Sequence, residues 1–309
     1  MPDSKPYLSP DVLARITPLG LRAERVVEGT ISGLHRSPLH GVSVEFADYR
    51  EYSPGDDLKR LDWRAYARSN RYFIKQYEEE SNLRCTLLMD ASASMAYAGK
   101  KSAMSKYDYA ATTAASLAHL LIKQRDAVGL ALVDKEERAW LRPAATQANL
   151  AKLIDLLERS KPDRETDLAV AMAKVTSQIA SRGLIIILSD LLTDLDPFYG
   201  ALGRLRHDGH EVLVFQILDD DEIELPFGDS VLFKDIEGSE ELFAEPWAFR
   251  KQYNAAMLSF IDGVRTRCHG TGIEHVLLNT SDPLDTALSH YLHRRQRSAA
   301  AKHKSGGVG

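Results

Sequence analysis

The stretch Leu87-Leu88-Met89-Asp90-Ala91-Ser92-Ala93-Ser94-Met95 decides the fold of this chain. A short apolar run stops at an acid, and two serines follow at alternating positions. An apolar run of this length is typical of a buried strand. Asp90, Ser92 and Ser94 then place three hard oxygen donors on one tight loop, which is the kind of ligand that Mg²⁺ requires. The stretch therefore predicts a buried strand that ends in a candidate metal loop.

Helices and strands alternate along the rest of the chain. Apolar strands are predicted at 127–133, 184–189, 211–218 and 273–278, with helical segments between them. Buried strands that alternate with helices indicate an α/β fold with a doubly wound, mainly parallel sheet. Ligands of such sheets bind beyond the carboxyl ends of the strands. Asp90 and Asp190 both lie at such ends. On the N-terminal side, residues 29–68 show no clear period and are expected to be irregular.

Composition narrows the classes of function. Of 309 residues, 44% are hydrophobic and 27% charged, as in ordinary globular proteins. The formal net charge of −5 argues against a general nucleic-acid-binding protein. Cys85 and Cys268 both stand in apolar surroundings, so buried thiols are expected rather than a disulfide framework. No secretory signal pattern and no long apolar segment is present, which predicts a cytoplasmic protein without direct membrane insertion.

Two further segments extend the candidate metal loop. Thr166 precedes the helix predicted from Asp167, and Asp190 ends the apolar strand at 184–189. Each alone has an ordinary explanation, because threonine is a good helix cap and an acid often ends a strand. Together with Asp90 at another strand end, they predict one site for a divalent cation. The alternative is a cluster of hydrogen-bonded turns that never holds a metal.

These segments resemble the metal-ion-dependent adhesion site of von Willebrand factor A domains. The matching positions are Asp90, Ser92, Ser94, Thr166 and Asp190. The resemblance implies a Rossmann-like fold of the von Willebrand A type, with Mg²⁺ or Mn²⁺ held by the hydroxyls directly and by the aspartates directly or through water. A partner's acidic side chain would fill the open coordination position. Leu191 departs from the pattern, because many members have glycine there, and this leaves the path of the loop open.

We expect this site to bind rather than to catalyse. A hydrolase requires an activated nucleophile or a general base, and the sequence places no histidine or lysine at a comparable strand end. Two alternatives stay open. One is a hydrolase that uses the same ion as a Lewis acid, and the other is a structural subunit whose metal motif is a relic.

A second dense group of polar residues precedes the first buried strand. Residues 45–68 mix aromatic, acidic and basic side chains without a helical or strand period, and Pro54-Gly55 marks a turn. The arginines and aspartates could pair with each other and hold the segment together. The other interpretation is a surface for a partner, whose candidate residues are Arg50, Asp56, Asp57, Asp62, Trp63 and Arg64.

This segment also resembles a bacterial and archaeal family known as domain of unknown function 58. That family shows a Glu-Phe-x-x-x-Arg-x-Tyr-x-x-Gly-Asp-Asp…Asp-Trp block just before a von Willebrand A-like domain. The matching residues here are Glu45, Phe46, Arg50, Tyr52, Gly55, Asp56, Asp57, Asp62 and Trp63. The resemblance implies association with a MoxR-type AAA+ ATPase and a role as its adaptor or accessory protein.

The expected organisation has three parts. An N-terminal extension of irregular and β structure, which contains the family signature, covers 1–80. A von Willebrand A-like domain covers 81–295 with an inserted arm at about 219–245, and a tail at 296–309 is expected to be disordered. The acidic run at 219–222 within the arm is expected to be a solvated turn. The predicted function is a non-enzymatic protein–protein interaction module that depends on Mg²⁺ or Mn²⁺ and docks a partner's acidic side chain.

Overall fold

The fold is taken from a computed structural model. The structure describes residues 83–135, 137–163, 167–234 and 241–285, the backbone of the strands at 43–51 and 73–80, and residues 23, 26, 27, 66, 72 and 288. The chain divides into two compact units. One comprises residues 39–83, and the other comprises residues 1–38 together with 84–309.

The smaller unit contains an antiparallel pair of strands, β1 (Ser43–Glu51) and β2 (Phe73–Glu80). Strand β2 overlaps residues 71–77, whose alternating polar and apolar residues predict a half-buried strand. Strand β1 lies where an irregular segment was expected, so that expectation was wrong. The pairing register shifts between Phe46 and Asp48. An extra residue of this kind interrupts the two-residue alternation that marks a strand, which is why β1 was missed.

The larger unit is built on one six-stranded sheet. The strands of this unit are β3 (Arg84–Asp90), β4 (Ala127–Val133), β5 (Glu137–Ala144), β6 (Leu184–Ser189), β7 (Glu211–Leu218), β8 (Val231–Lys234), β9 (Glu241–Ala244) and β10 (Glu274–Asn279). The six strands of the sheet follow the order β10-β7-β6-β3-β4-β5, and every neighbouring pair is parallel except β4 and β5. The α/β fold with a mainly parallel sheet is thereby confirmed.

Helices connect these strands and flank the sheet. They are α1 (Lys106–Lys123), α2 (Gln147–Arg159), α3 (Leu168–Gln178), α4 (Leu195–His207), α5 (Asp220–Glu224) and α6 (Pro246–Gly270). Several begin at a side-chain cap, because Ser105, Thr146 and Asp167 each accept a hydrogen bond from a backbone N–H in the first turn. None of the helices in the described part of the chain is long and apolar enough to cross a membrane.

The core lies on both faces of the sheet. On one face, Leu88, Ile187 and Val214 of three adjacent strands join the inward residues of α3, α4 and α6 in a single buried cluster. On the other face, α1 packs against β3 and β4. Burial of each such leucine or isoleucine contributes about 1.5–3 kcal/mol. The strands are therefore fixed in place, and the loops at their carboxyl ends start from rigid positions.

The interval between β7 and α6 contains an excursion from the sheet. Helix α5 comes first, and β8 and β9 then form a separate antiparallel hairpin. Lys234 and Glu241 pair across this hairpin at 2.7 Å. This short helix and hairpin occupy the interval in which the sequence predicts an inserted arm.

Candidate metal site

The first buried strand delivers Asp90 to the carboxyl edge of the sheet. Asp90 is the last residue of β3 and only 1% exposed. Its Oδ1 accepts a hydrogen bond from the backbone N–H of Ser92 (2.9 Å), which closes a tight turn of the Asx type. A short 3₁₀ helix at Ala93–Ala96 follows and carries Ser94. The sequence Asp-x-Ser-x-Ser therefore folds back on its own aspartate.

Strand β6 brings the second aspartate to this turn. Ser94 Oγ donates to Asp190 Oδ2 (2.7 Å), and Ser92 Oγ lies 3.1 Å from Ser94 Oγ. The second oxygen of Asp90 accepts from Ser189 Oγ (2.6 Å). The structure thus brings four of the five sequence-predicted residues into one hydrogen-bonded set. Ser189 is an additional member that the motif does not include.

The fifth predicted residue, Thr166, lies outside the described residues. Its neighbour Asp167 donates its backbone N–H to the carbonyl of Asp134 (3.3 Å), just beyond the carboxyl end of β4. Asp167 itself caps α3. The partner-binding candidates Asp56, Asp57, Asp62, Trp63 and Arg64 also lie outside the described residues. Arg50 lies on β1, where only the backbone is described.

Leu191 adopts the backbone conformation that glycine favours. Its φ is +60°, in the left-handed region. The Leu191 side chain is completely buried and belongs to the core cluster on the α3 and α4 face. The left-handed conformation costs a non-glycine residue about 1–2 kcal/mol, and burial of a leucine offsets that cost. The loop therefore follows a glycine-like path although the residue is leucine.

A lysine side chain enters the site from the start of α1. Lys106 is fully buried, and its Nζ lies 2.7 Å from Asp190 Oδ2 and 2.5 Å from Glu222 Oε1. Glu222 in turn caps α5, because its Oε2 accepts from the backbone N–H of Asp219 (2.9 Å). The ammonium group thus joins the metal loop to the excursion that follows β7.

The sequence interpretation missed two residues of this arrangement, Lys106 and its second partner Glu222. The sequence prediction concerned lysines at strand ends only, whereas Lys106 reaches the site from the start of α1. Its signal was a cation in the first turn of a helix, where the positive end of the dipole disfavours it. The expectation of a solvated turn at 219–222 was also wrong, since Asp219 and Asp221 are buried. The Asp-x-x-Glu spacing of a capping box was the available signal.

The buried charges shift the pKa values of this site in a definite pattern. Burial, followed by the charge of Asp190, raises the pKa of Asp90 to about 6. Burial also raises the pKa of Glu222, and the nearby Lys106 offsets this only in part. For Lys106, burial lowers the pKa, but Asp190 and Glu222 raise it further, so the net shift is upward. Lys106 is therefore a fixed cation rather than a general base.

The donor set fits a hard divalent cation. Two serine hydroxyls and a carboxylate oxygen lie in one connected row, and Mg²⁺ prefers oxygen ligands of this kind. The formal charges of Asp90, Asp190, Glu222 and Lys106 sum to −2, which one divalent cation would neutralise. Within the described residues, no three acidic, histidine or cysteine side chains are grouped to hold an ion. An ion at this place would therefore depend on the serine hydroxyls.

An apolar groove begins beside these oxygens. It has a volume of about 680 Å³ and extends from Ser94 and Glu222 towards the β8–β9 hairpin. Its apolar walls include Leu192, Phe227 and Phe233. Leu192 follows the metal loop directly and is 43% exposed. Polar oxygen donors and an exposed apolar surface thus adjoin each other at one edge of the sheet.

Comparison with known proteins assigns the chain to a family. The family model described as "Protein of unknown function DUF58" matches residues 48–259. The chain belongs to this family. The DUF58 match covers the β1–β2 unit from residue 48 onward and the sheet as far as the middle of α6. The resemblance drawn from residues 45–63 is confirmed at the level of the family.

Two relatives match this DUF58 protein over very different shares of its length. It is 27% identical to the uncharacterized protein Rv1480 of Mycobacterium tuberculosis over 304 residues, which is 96% of this chain and 93% of that protein. It is 32% identical to the uncharacterized protein YeaD of Bacillus subtilis over 117 residues, which is 38% of this chain and 27% of that protein.

Solved structures resemble this DUF58 protein at low sequence identity. An aerotolerance-related membrane protein from Bacteroides fragilis matches with a TM-score of 0.49 and 14% identity, over 70% of this chain and 99% of that one. The conserved hypothetical protein BatB from Bacteroides thetaiotaomicron gives 0.46 and 15% over the same shares. The SpRpn10 VWA domain gives 0.39 and 8%, over 67% of this chain and 93% of that one.

Proposed function

We propose that this DUF58 protein is a non-enzymatic protein–protein interaction module that depends on a divalent cation, Mg²⁺ or Mn²⁺. The observation that carries the proposal is the connected row of oxygens from Ser92 and Ser94 to Asp190 at the carboxyl ends of β3 and β6. Such an edge is where ligands of parallel sheets bind. The two net negative charges of the site supply the electrostatic reason for a divalent ion.

The residues of the site have separate roles in this proposal. Ser92, Ser94 and Asp190 would hold the ion, and Asp90 would orient the loop through the Ser92 N–H. Thr166 remains a predicted further ligand. When bound, the ion supplies an open coordination position for a carboxylate. Lys106 fixes the position of the Asp190 carboxylate and keeps its own proton, which is why we favour binding over hydrolysis.

The partner is proposed from the chemistry of the same edge. A bound cation would attract an aspartate or glutamate of a partner chain, and the adjoining groove would accept an apolar side chain next to that acid. The exposed Leu192 beside Ser94 suits this combination. The resemblance to domain of unknown function 58 supports a MoxR-type AAA+ ATPase as the partner and an adaptor or accessory role.

The cation is tested by titrating purified protein with Mn²⁺ in a calorimeter. We expect Ser94→Ala to weaken binding at least tenfold, about 1.4 kcal/mol. Ser177→Ala is a matched control, because Ser177 lies on α3 and its hydroxyl contacts only a helix carbonyl among the described contacts. Wild-type protein that binds neither Mn²⁺ nor Mg²⁺ would refute metal dependence.

The partner is tested by co-purification with a MoxR-type ATPase from the same genome. We expect the complex to form in Mg²⁺, to be lost in EDTA, and to be weakened by Ser94→Ala. A complex that survives both EDTA and Ser94→Ala would favour the alternative of a structural subunit with a relic motif.

A further inference from the structure

A second cavity lies at the opposite, amino-terminal edge of the same sheet. It has a volume of about 430 Å³, which is within the range of small-ligand sites. The starts of β3 and β6 and the end of α3 border it, together with β5 and the residue that precedes β7. The sheet separates it from the candidate metal site, so the two cavities are independent of each other.

The lining of this cavity is positively charged. Arg84 and Arg142 both line it, and none of its described lining residues is acidic. Neither guanidinium forms an ion pair within the part of the chain that the structure describes. Opposing charges near the rim include Glu137, Glu211 and the C-terminal end of α3. Glu137 accepts from Gln178 Nε2 (2.5 Å), Glu211 pairs with the lining residue Leu184 in the sheet, and the helix end carries about half a negative charge. The two guanidinium groups of the lining belong to a chain whose formal net charge is −5.

His210 gives an independent indication of a ligand. It lines the cavity and is only 4% exposed. Its backbone is fixed on both sides, because its N–H donates to Leu205 O (3.0 Å) and its carbonyl accepts from Arg206 Nη1 (2.9 Å). Its ring Nδ1 is buried and has no hydrogen-bond partner among the described residues. An unpartnered buried polar atom costs about 1–3 kcal/mol. A polar group of a ligand in the cavity would satisfy it.

Trp140 provides a flat surface in the same cavity. It lies on β5 opposite Ala131 of β4 and is half-buried. Trp140 and Arg142 lie two residues apart on β5, and both line the cavity. An indole ring next to a guanidinium group is suited to a planar ligand that also carries an anionic group, because the ring stacks and the guanidinium pairs with oxygen atoms.

We propose that this cavity binds a small organic anion in which a phosphate or carboxylate is attached to a planar ring. Arg84 and Arg142 bind the anionic group, Trp140 contacts the ring, and His210 donates or accepts one hydrogen bond through Nδ1. This site is separate from the proposed cation-dependent docking site and does not depend on it.

The test uses the full chain and isothermal titration with three probes. AMP represents a ring with a phosphate, 4-hydroxybenzoate represents a ring with a carboxylate, and adenosine is the uncharged ring. We expect at least one of the two anions to bind. If AMP binds, adenosine should bind at least tenfold more weakly than AMP. The anion that binds shows whether the site prefers a phosphate or a carboxylate.

Variants assign the binding to this cavity. Arg142→Gln and Trp140→Leu should each weaken the bound anion at least tenfold. Arg159→Gln is the matched control, since Arg159 is an exposed arginine on α2 that pairs with Asp155. The affinity of this variant for the anion should equal that of the wild type. Far-UV circular dichroism of each variant verifies the fold. If Trp140→Leu fails to fold, Trp140→Phe replaces it in the test. This variant keeps an aromatic ring and should retain most of the affinity. Failure of both anions to bind at millimolar concentration, or equal affinity in Arg142→Gln and wild type, would overturn the proposal.

Discussion

Replacing Lys106 with methionine would remove the only ammonium group that the described residues place against Asp190. The methylene stem and its packing are largely kept, so the change isolates the charge. The buried Asp190 and the partly buried Glu222 would then lack the cation that lies 2.7 and 2.5 Å from them. Removal of one partner from a buried ion pair costs about 3–5 kcal/mol, because the remaining charge is uncompensated. We therefore expect Lys106→Met to lower the free energy of unfolding by that amount.

The assay is urea denaturation at neutral pH, followed by the helical circular dichroism signal. The described α-helices of several turns all lie in the larger unit, so this signal reports its unfolding. Lys101→Met is the matched control. Its ammonium pairs with Asp220 and Glu224 at 3.1 and 3.5 Å, but the side chain is 55% exposed. An exposed pair contributes about 0–1 kcal/mol, so this control should change stability little.

A second variant separates charge from packing. Lys106→Met combined with Glu222→Gln removes one of the two carboxylates that Lys106→Met leaves unpaired. The double variant should recover part of the lost stability, because the effects of substitutions at residues in contact are not additive. A loss below about 1 kcal/mol in Lys106→Met, equal to that of Lys101→Met, would refute the argument that a buried ion pair holds Asp190 in place.

Three further outcomes follow from other positions. Leu191→Gly should be about 1 kcal/mol more stable than Leu191→Ala in urea denaturation, because both lose the buried side chain and only glycine relieves the left-handed backbone; equal stabilities would contradict the strain. Burial, reinforced by neighbouring positive charges, lowers the pKa of His275 to about 4, so the unfolded state binds more protons below pH 6.5. The contribution of His275 to the free energy of unfolding should be fully present above pH 6.5 and should fall by up to about 3 kcal/mol as the pH approaches 4. In denaturation experiments at several pH values, His275→Gln should reduce this dependence on pH. Gly99→Ala should cost about 1–3 kcal/mol in thermal or urea unfolding, because the new Cβ would lie 2.0 Å from Asp219 Oδ1. Gly200→Ala on α4 meets no atom within 4 Å and should be neutral or stabilising.

The sheet was predictable because its central strands are buried on both faces. The bounds of β4, β6 and β7 agree with their apolar runs in the sequence. Such runs need no alternation to be recognised, since helices cover both sides. Strand β1 has no comparable signal, because its register shift breaks the two-residue period.

The candidate metal site was predictable only where it is local or lies at a strand end. Asp90, Ser92 and Ser94 are close in sequence, and Asp190 directly follows the neighbouring strand, so the topology brings them together. Lys106 gave no such signal. It reaches Asp190 through the direction in which α1 leaves its cap, and this direction depends on packing across the sheet rather than on spacing along the chain.

Leu191 has a consequence for motion at the edge of the sheet. A glycine at this position would let the loop that carries Asp190 turn freely about its backbone. With leucine, the same turn would withdraw a buried side chain from the cluster shared by α3 and α4. Packed cores move between discrete arrangements rather than deforming continuously. A displacement of Asp190 would therefore be transmitted to these helices as a step rather than as a gradual shift.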